Sequence, residues 1–249
     1  MMLAFILLPL GRMFGQQSPA MLATVAAMPD VQGAITLSLE VAMASAVIAA
    51  VFGTPLAYLL ARSQFRGRAL IEAIVDLPLA VPHTVAGIAL LFVFGRNGPI
   101  GKIAGQLGIS FWGTALGILV GMLFVSIPYM VNSAREGFAS VDLRLEKAAR
   151  TLGASPAQVF WQISLPLALR GILSGVVLTY ARAIAEFGAV IVLAYYPETA
   201  PVKIYELFLS GGLQQSSAAA VLLLSVTLTT FIFFRYLAYG RAARKGRNQ

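Results

Sequence analysis

Two stretches of this chain are too long and too apolar to be anything but helices in a membrane. Gly113 to Val131 holds no Asp, Glu, Lys or Arg, and Ser216 to Tyr236 holds only Arg235. Inside hydrocarbon no water is available to bond backbone N–H and C=O groups, so a segment that is apolar on every face must bond them within itself, as a helix. The rest of the chain fits the same solvent. Its mean hydropathy is +0.83, and only 11% of its 249 residues are charged, where a water-soluble domain carries about a quarter. The fold class expected is an all-α polytopic membrane protein with about six transmembrane helices.

Taken in order, residues 3 to 14 form a short apolar segment interrupted by Pro9 and Gly11, and Gln16 to Pro29 reads as an external loop. The N-terminus lacks the basic flank of a secretory signal and reads as a membrane segment that stays. Ile35 to Leu60 is a long span followed at once by Arg62, Arg66 and Arg68. The next span, Ile71 to Phe94, contains Asp76, Pro78 and Pro82, which predicts a kink or non-helical backbone buried in protein. A Gly-rich loop, Arg96 to Phe111, leads to the fourth span, Gly113 to Val131; Leu167 to Tyr196 is the fifth, Pro197 to Gln215 an external loop, and Ser216 to Tyr236 the sixth. This divides the chain into an N-terminal membrane segment and external loop (1–34), a core (35–238) that contains a polar loop at 132–166, and a basic tail (239–249).

The polar loop is the one extended stretch that must leave the bilayer. Arg144 to Leu152 is rich in good helix formers, and Gly153 can take the left-handed conformation that ends a helix. Ser155 then supplies a cap for a second helix, with Pro156 at its first position and Gln158 completing a capping box. The expected product is a stiff helix-turn-helix. Thirteen of the eighteen Lys and Arg residues fall on the loop's side of the six-span topology, which places the loop and both termini in the cytoplasm.

Ala148-Ala149, Gly153 and Ile163-x-Leu165-Pro166 resemble, in their spacing, the EAA loop of the permease subunits of ATP-driven (ABC) importers. One departure stands out: Lys147 occupies the position that usually holds Glu, and the acid lies one residue earlier, at Glu146. The resemblance implies that Glu146, Ala148, Ala149, Gly153, Ser155, Pro156 and Gln158 couple this chain to a separate ATPase. That ATPase would be present in two copies and would hold the ATP-Mg, with no cofactor in this chain.

Arg182 and Glu186 lie four residues apart, on one face of the fifth span. Ionisable groups at that depth face a protein interior or a water-filled path. Two roles are open: the pair lines the translocation pathway, with Arg182 presented to an anion, or it only holds helices together. The stretch ARAIAEFGAVIVLAYYPETAPVKIYELFLSGG is similar to permeases for molybdate and tungstate, and less closely to those for sulfate. This resemblance implies an oxyanion importer in a prokaryotic inner (plasma) membrane. It also implies an extracytoplasmic oxyanion-binding protein and a second copy of this chain as partners. A sulfate permease, or a secondary transporter or channel needing no ATPase, remains an alternative.

Other signals carry less. Gly95 to Lys102 fails the spacing of a phosphate-binding loop. His83, the one histidine, cannot by itself supply a paired metal motif and reads as a local hydrogen-bonding group; no metal site is expected. Gly171 and Gly175 flank Ser174 out of register for a nucleophile elbow and read as small packing residues. Asp76 reads as structural. There is no cysteine, and nothing points to an enzyme; the basic excess follows topology rather than nucleic acid.

Overall fold

The computed structural model describes residues 1–245, and among them every regular element is a helix. The order is α1 (Met2–Gly15), α2 (Pro19–Ala26), α3 (Pro29–Arg62), α4 (Arg68–Ala80), α5 (His83–Phe94), α6 (Pro99–Gln106), α7 (Ala115–Ala139), α8 (Leu143–Thr151), α9 (Pro156–Val159), α10 (Leu165–Ile184), α11 (Gly188–Leu193) and α12 (Ala200–Lys245). A π-helical turn, Phe160–Ser164, joins α9 to α10 without a break.

Among the described residues, four helical stretches are long and apolar enough to cross a membrane: α3, α7, the continuous Pro156–Ile184 and α12 as far as Phe234. Helices α4 and α5 make a fifth if they are taken as one span bent by 114°. That bend falls where the prolines predicted it, because Pro82 leaves Val81 no room for helical backbone. The first expected segment, residues 3 to 14, falls on α1, whose 14 residues reach about 21 Å, short of a hydrocarbon core of about 30 Å.

Three expected loops contain helices. The stretch 16–29 holds α2, begun by the Ser18 side chain accepting from Met21 N–H; 96–111 holds α6, with Pro99 at its start; and 197–215 is mostly the first part of α12. The break expected at the end of that last loop is narrowed to Gly212, whose φ of 73° only glycine tolerates readily. Conversely, the fifth span is not continuous to Tyr196: α10 stops at Ile184 and the chain restarts as α11. Helix α12 runs on to Lys245; residues 246–249 of the expected basic tail lie outside the described residues.

Helices in lipid gain nothing from hiding apolar surface from one another, so close packing of small residues has to hold them. Helix α7 packs against both α3 and α10, and those two also pack against each other. Along its length Ala42, Ala46, Ala49 and Ala57 of α3 are buried against it, with Ile118, Met122, Met130, Val131 and Ala134 on α7 itself. At one end of the bundle α3 finishes beside α8. At the other, Asp30 in the first turn of α3 meets the Lys203 ammonium at 2.7 Å, and Glu198 lies 3.3 Å from the same group.

Candidate functional site

The end of the bundle that carries α8 and α9 presents the expected hairpin. Asp142 caps α8 by accepting from the Arg144 N–H at 2.9 Å. The chain then reverses at Gly153, whose φ is +91°. The capping box is complete: Ser155 N–H donates to Gln158 Oε1 at 2.8 Å, and Gln158 N–H to Ser155 Oγ at 3.3 Å. These bonds satisfy backbone donors that the first turn of a helix would otherwise leave open, so a tight reversal stays ordered outside the bundle. Ala148, Gly153, Ser155, Pro156 and Gln158 are exposed, and Leu152, at the tip, is 89% exposed.

Two features differ from expectation. The second helix is not short, because α9 passes through the π-helical turn into α10 and makes the tip of the hairpin the start of a membrane span. Glu146, expected among the contacts to the ATPase, faces inward and is 8% exposed. Its Oε1 accepts from Arg62 Nε at 2.8 Å and from Ser164 Oγ at 2.9 Å. Its position on α8 accounts for this. Lys147 and Ala148 take the outer face, and the residue before them turns to the bundle.

The second cluster forms where two broken helices touch. Arg182 lies in the last turn of α10, so it stands at a helix end rather than mid-span, where a cation suits the helix dipole. Its Nη2 donates to Glu186 Oε2 at 2.7 Å. The same nitrogen lies 3.0 Å from Nδ1 and 2.9 Å from Nε2 of His83, at the start of α5. Glu186 is 1% exposed, and its Oε1 accepts from Ala189 N–H at 2.8 Å, capping α11. The pair is thus a helix brace as well as a charge pair. Glycines bring the two breaks together: a Cβ on Gly188 would sit 2.7 Å from His83 Cβ, and one on Gly87 2.8 Å from the Ala189 carbonyl oxygen. Within the cluster Arg182 and Glu186 offset each other's charge. What it can offer an anion is the set of guanidinium N–H donors not turned to Glu186, on a side chain that keeps 19% of its surface open.

The hairpin thus stands off one end of a bundle of membrane-length helices. Residues 53–245 match the family described as "Binding-protein-dependent transport system inner membrane component". The chain belongs to this family. It is a transport component that spans the membrane several times, and in such systems ATP is hydrolysed by a partner subunit. The molybdate/tungstate transport system permease protein WtpB of Thermococcus kodakarensis is 43% identical over 238 residues, which cover 95% of this chain and 91% of that one. A probable sulfate transport system permease protein of Nephroselmis olivacea is 31% identical over 243 residues, covering 95% and 86%. The fold matches the crystal structure of a bacterial ABC transporter involved in alginate import with a TM-score of 0.75 at 17% identity, over 95% of this chain and 90% of that one.

Arg62 and Ser164, which complete the shell of Glu146, were not singled out by sequence, and neither was the partnership of His83 with Arg182. Arg62 read as one of three topology-setting arginines, although it is the one that closes α3. His83 read as locally bonded, yet it sits 99 positions from its partner. Asp76 accepts from Asn132 Nδ2 at 2.7 Å, joining α4 to α7.

Proposed function

We propose that this permease forms the translocation pathway of an ATP-driven importer of molybdate and tungstate, as a homodimer with the pathway at its two-fold axis. The carrying observation is the capped, exposed hairpin continuous with a membrane span, in a chain 43% identical to a molybdate/tungstate permease. The hairpin faces the cytoplasm, in keeping with its Lys and Arg content. There Ala148, Ala149, Gly153, Ser155, Pro156 and Gln158 would lie in a groove of the ATPase, with one ATPase for each copy of this chain. Glu146, 8% exposed, faces the bundle and takes no part in that contact.

ATP-Mg, bound by the ATPase pair, supplies the free-energy difference between nucleotide states. This chain converts it only if each state favours a different arrangement of the hairpin. Because Pro156–Ile184 is one helix, a displacement of the docked tip travels along it to the break beside Arg182. There the guanidinium N–H groups meet the oxyanion delivered by an extracytoplasmic binding protein, and His83 lies in the same path.

Reconstituted with its ATPase and the oxyanion-binding protein, the permease is expected to take up labelled molybdate and tungstate, with sulfate poorly carried. Preferential sulfate uptake would overturn the substrate reading while leaving the importer reading in place. Uptake of any of these anions by the permease without its ATPase would overturn both.

Gly153→Pro tests the docking element. Proline holds φ near −65°, whereas this turn requires +91°, so the reversal cannot form. The variant is expected to insert normally into the membrane, because no span is touched, and to lose most of the copurifying ATPase. Full ATPase recovery with the variant would exclude the hairpin as the contact.

A further inference from the structure

The hairpin has an anchor that docking alone does not require. Arg62 ends α3 and reaches across the base of the hairpin: its Nε donates to Glu146 Oε1 at 2.8 Å and its Nη2 to the Val141 carbonyl at 3.0 Å. Ser164, fully buried, gives its hydroxyl to the same carboxylate oxygen at 2.9 Å. Four segments therefore converge on one ion pair: the end of α3, the turn after α7, the docking helix α8, and the π-helical turn that starts the 156–184 helix. One turn before Arg62 on α3, Tyr58 packs edge-on against Phe138 at 5.1 Å and against Phe160 at 4.9 Å.

Helix α8 is bounded by a turn on each side, at Ser140 to Asp142 and at Leu152 to Ala154. With its caps alone it would swivel about those turns, and a push on its outer face would be lost in rotation. Among the described residues the Glu146–Arg62 pair is its one ionic tie to a membrane helix. A π-helical turn is a costly widening of a helix, usually kept where a side chain must be placed, and here it ends on Ser164.

We propose that Arg62 is a positioning residue for coupling, locking α8 to α3 so that movement of the docked hairpin drives α3 together with α10. The proposal rests on the docking reading above. Its consequence is directional, because the far end of α3 is tied through Asp30 to Lys203. One continuous helix thus joins the ATPase face of the permease to the opposite rim.

The test uses the full complex with its ATPase and binding protein, and reads ATP hydrolysed per labelled molybdate taken up beside the amount of ATPase bound. Arg62→Gln is expected to hold the ATPase and hydrolyse ATP, while uptake per ATP falls about tenfold, within the usual range of coupling between sites. Arg62→Lys keeps the charge but cannot reach both Glu146 and Val141, so it should fall between Gln and the unmodified chain. Because Arg62→Gln leaves a buried carboxylate unpaired, the double variant Arg62→Met/Glu146→Met serves as the fold-safe form: it removes both charges and should remain stable but uncoupled. An unchanged ratio in the double variant with ATPase bound would overturn the proposal and leave docking standing. Loss of the ATPase from the double variant would overturn it too, by making the pair a support of the docking surface. Failure of the unmodified permease to bind any ATPase would remove the docking reading first, and this inference with it.

Discussion

Arg182→Ala is expected to abolish oxyanion uptake and to destabilise the permease, and the two effects can be separated. Removing the guanidinium leaves the Glu186 carboxyl, 1% exposed, without its 2.7 Å partner. Breaking a buried pair in this way costs about 3–5 kcal/mol, a large share of a typical stability of about 5–15 kcal/mol. A lost transport signal from this variant alone would therefore not distinguish an anion site from a helix brace. Arg182→Gln combined with Glu186→Gln makes the distinction. The double variant leaves no unpaired charge, and the amide oxygen introduced by Glu186→Gln can still accept from the Ala189 N–H that caps α11. If Arg182 serves the anion, the double variant recovers thermal stability and ATPase binding while uptake stays absent. If uptake returns with stability, the guanidinium only satisfied Glu186, and the pathway assignment fails. Both are read on one sample, from the melting temperature in detergent and from labelled molybdate uptake after reconstitution.

The parts of this fold that were legible in the sequence are those governed by a local rule. Apolar runs gave α3, α7 and the membrane part of α12 because solvent alone selects them. Gly153, Ser155, Pro156 and Gln158 announced the hairpin because capping chemistry spans only a few residues. The break at 80–83 was visible in Pro78 and Pro82. What stayed hidden needed partners from far along the chain. Nothing near Glu146 shows that its carboxylate turns to Arg62, and nothing near His83 points to Arg182. The break at Ala185 was missed because no proline or charge run marks it; its cue is Glu186, a residue that reads as half of an i,i+4 pair but also caps the helix that follows. The first part of α12 read as a loop because Pro197, Pro201, Gly211 and Gly212 are turn formers by composition. Pro201 instead stands in the first turn, where its missing N–H costs nothing.

Gly171→Val is expected to disrupt the bundle itself. Helices α7 and α10 cross where Gly137 faces Gly171, and a Cβ at 171 would fall 2.5 Å from Gly137 Cα and 2.9 Å from the Ser133 carbonyl oxygen. Both obstacles are backbone, so no side chain can swing away and the helices must separate. Separation is expensive here because lipid offers no compensating hydrophobic force, and the same contact line carries Gly175, where a Cβ would meet the Met130 carbonyl oxygen at 3.1 Å. Overpacking a tight site costs about 1–3 kcal/mol, and a backbone-on-backbone clash belongs at the upper end of that range or above it. Gly171→Ala already introduces the clashing atom and should be nearly as severe. Gly33 in α3 is the matched control, since a Cβ there meets nothing within 4 Å. Gly33→Ala should raise helix stability by up to about 1 kcal/mol through the loss of glycine's conformational freedom. Melting temperatures of the three purified variants are expected in the order Gly33→Ala, Gly171→Ala, Gly171→Val, highest first. A Gly171→Val permease that melts with the unmodified chain would mean that α7 and α10 do not cross at these glycines.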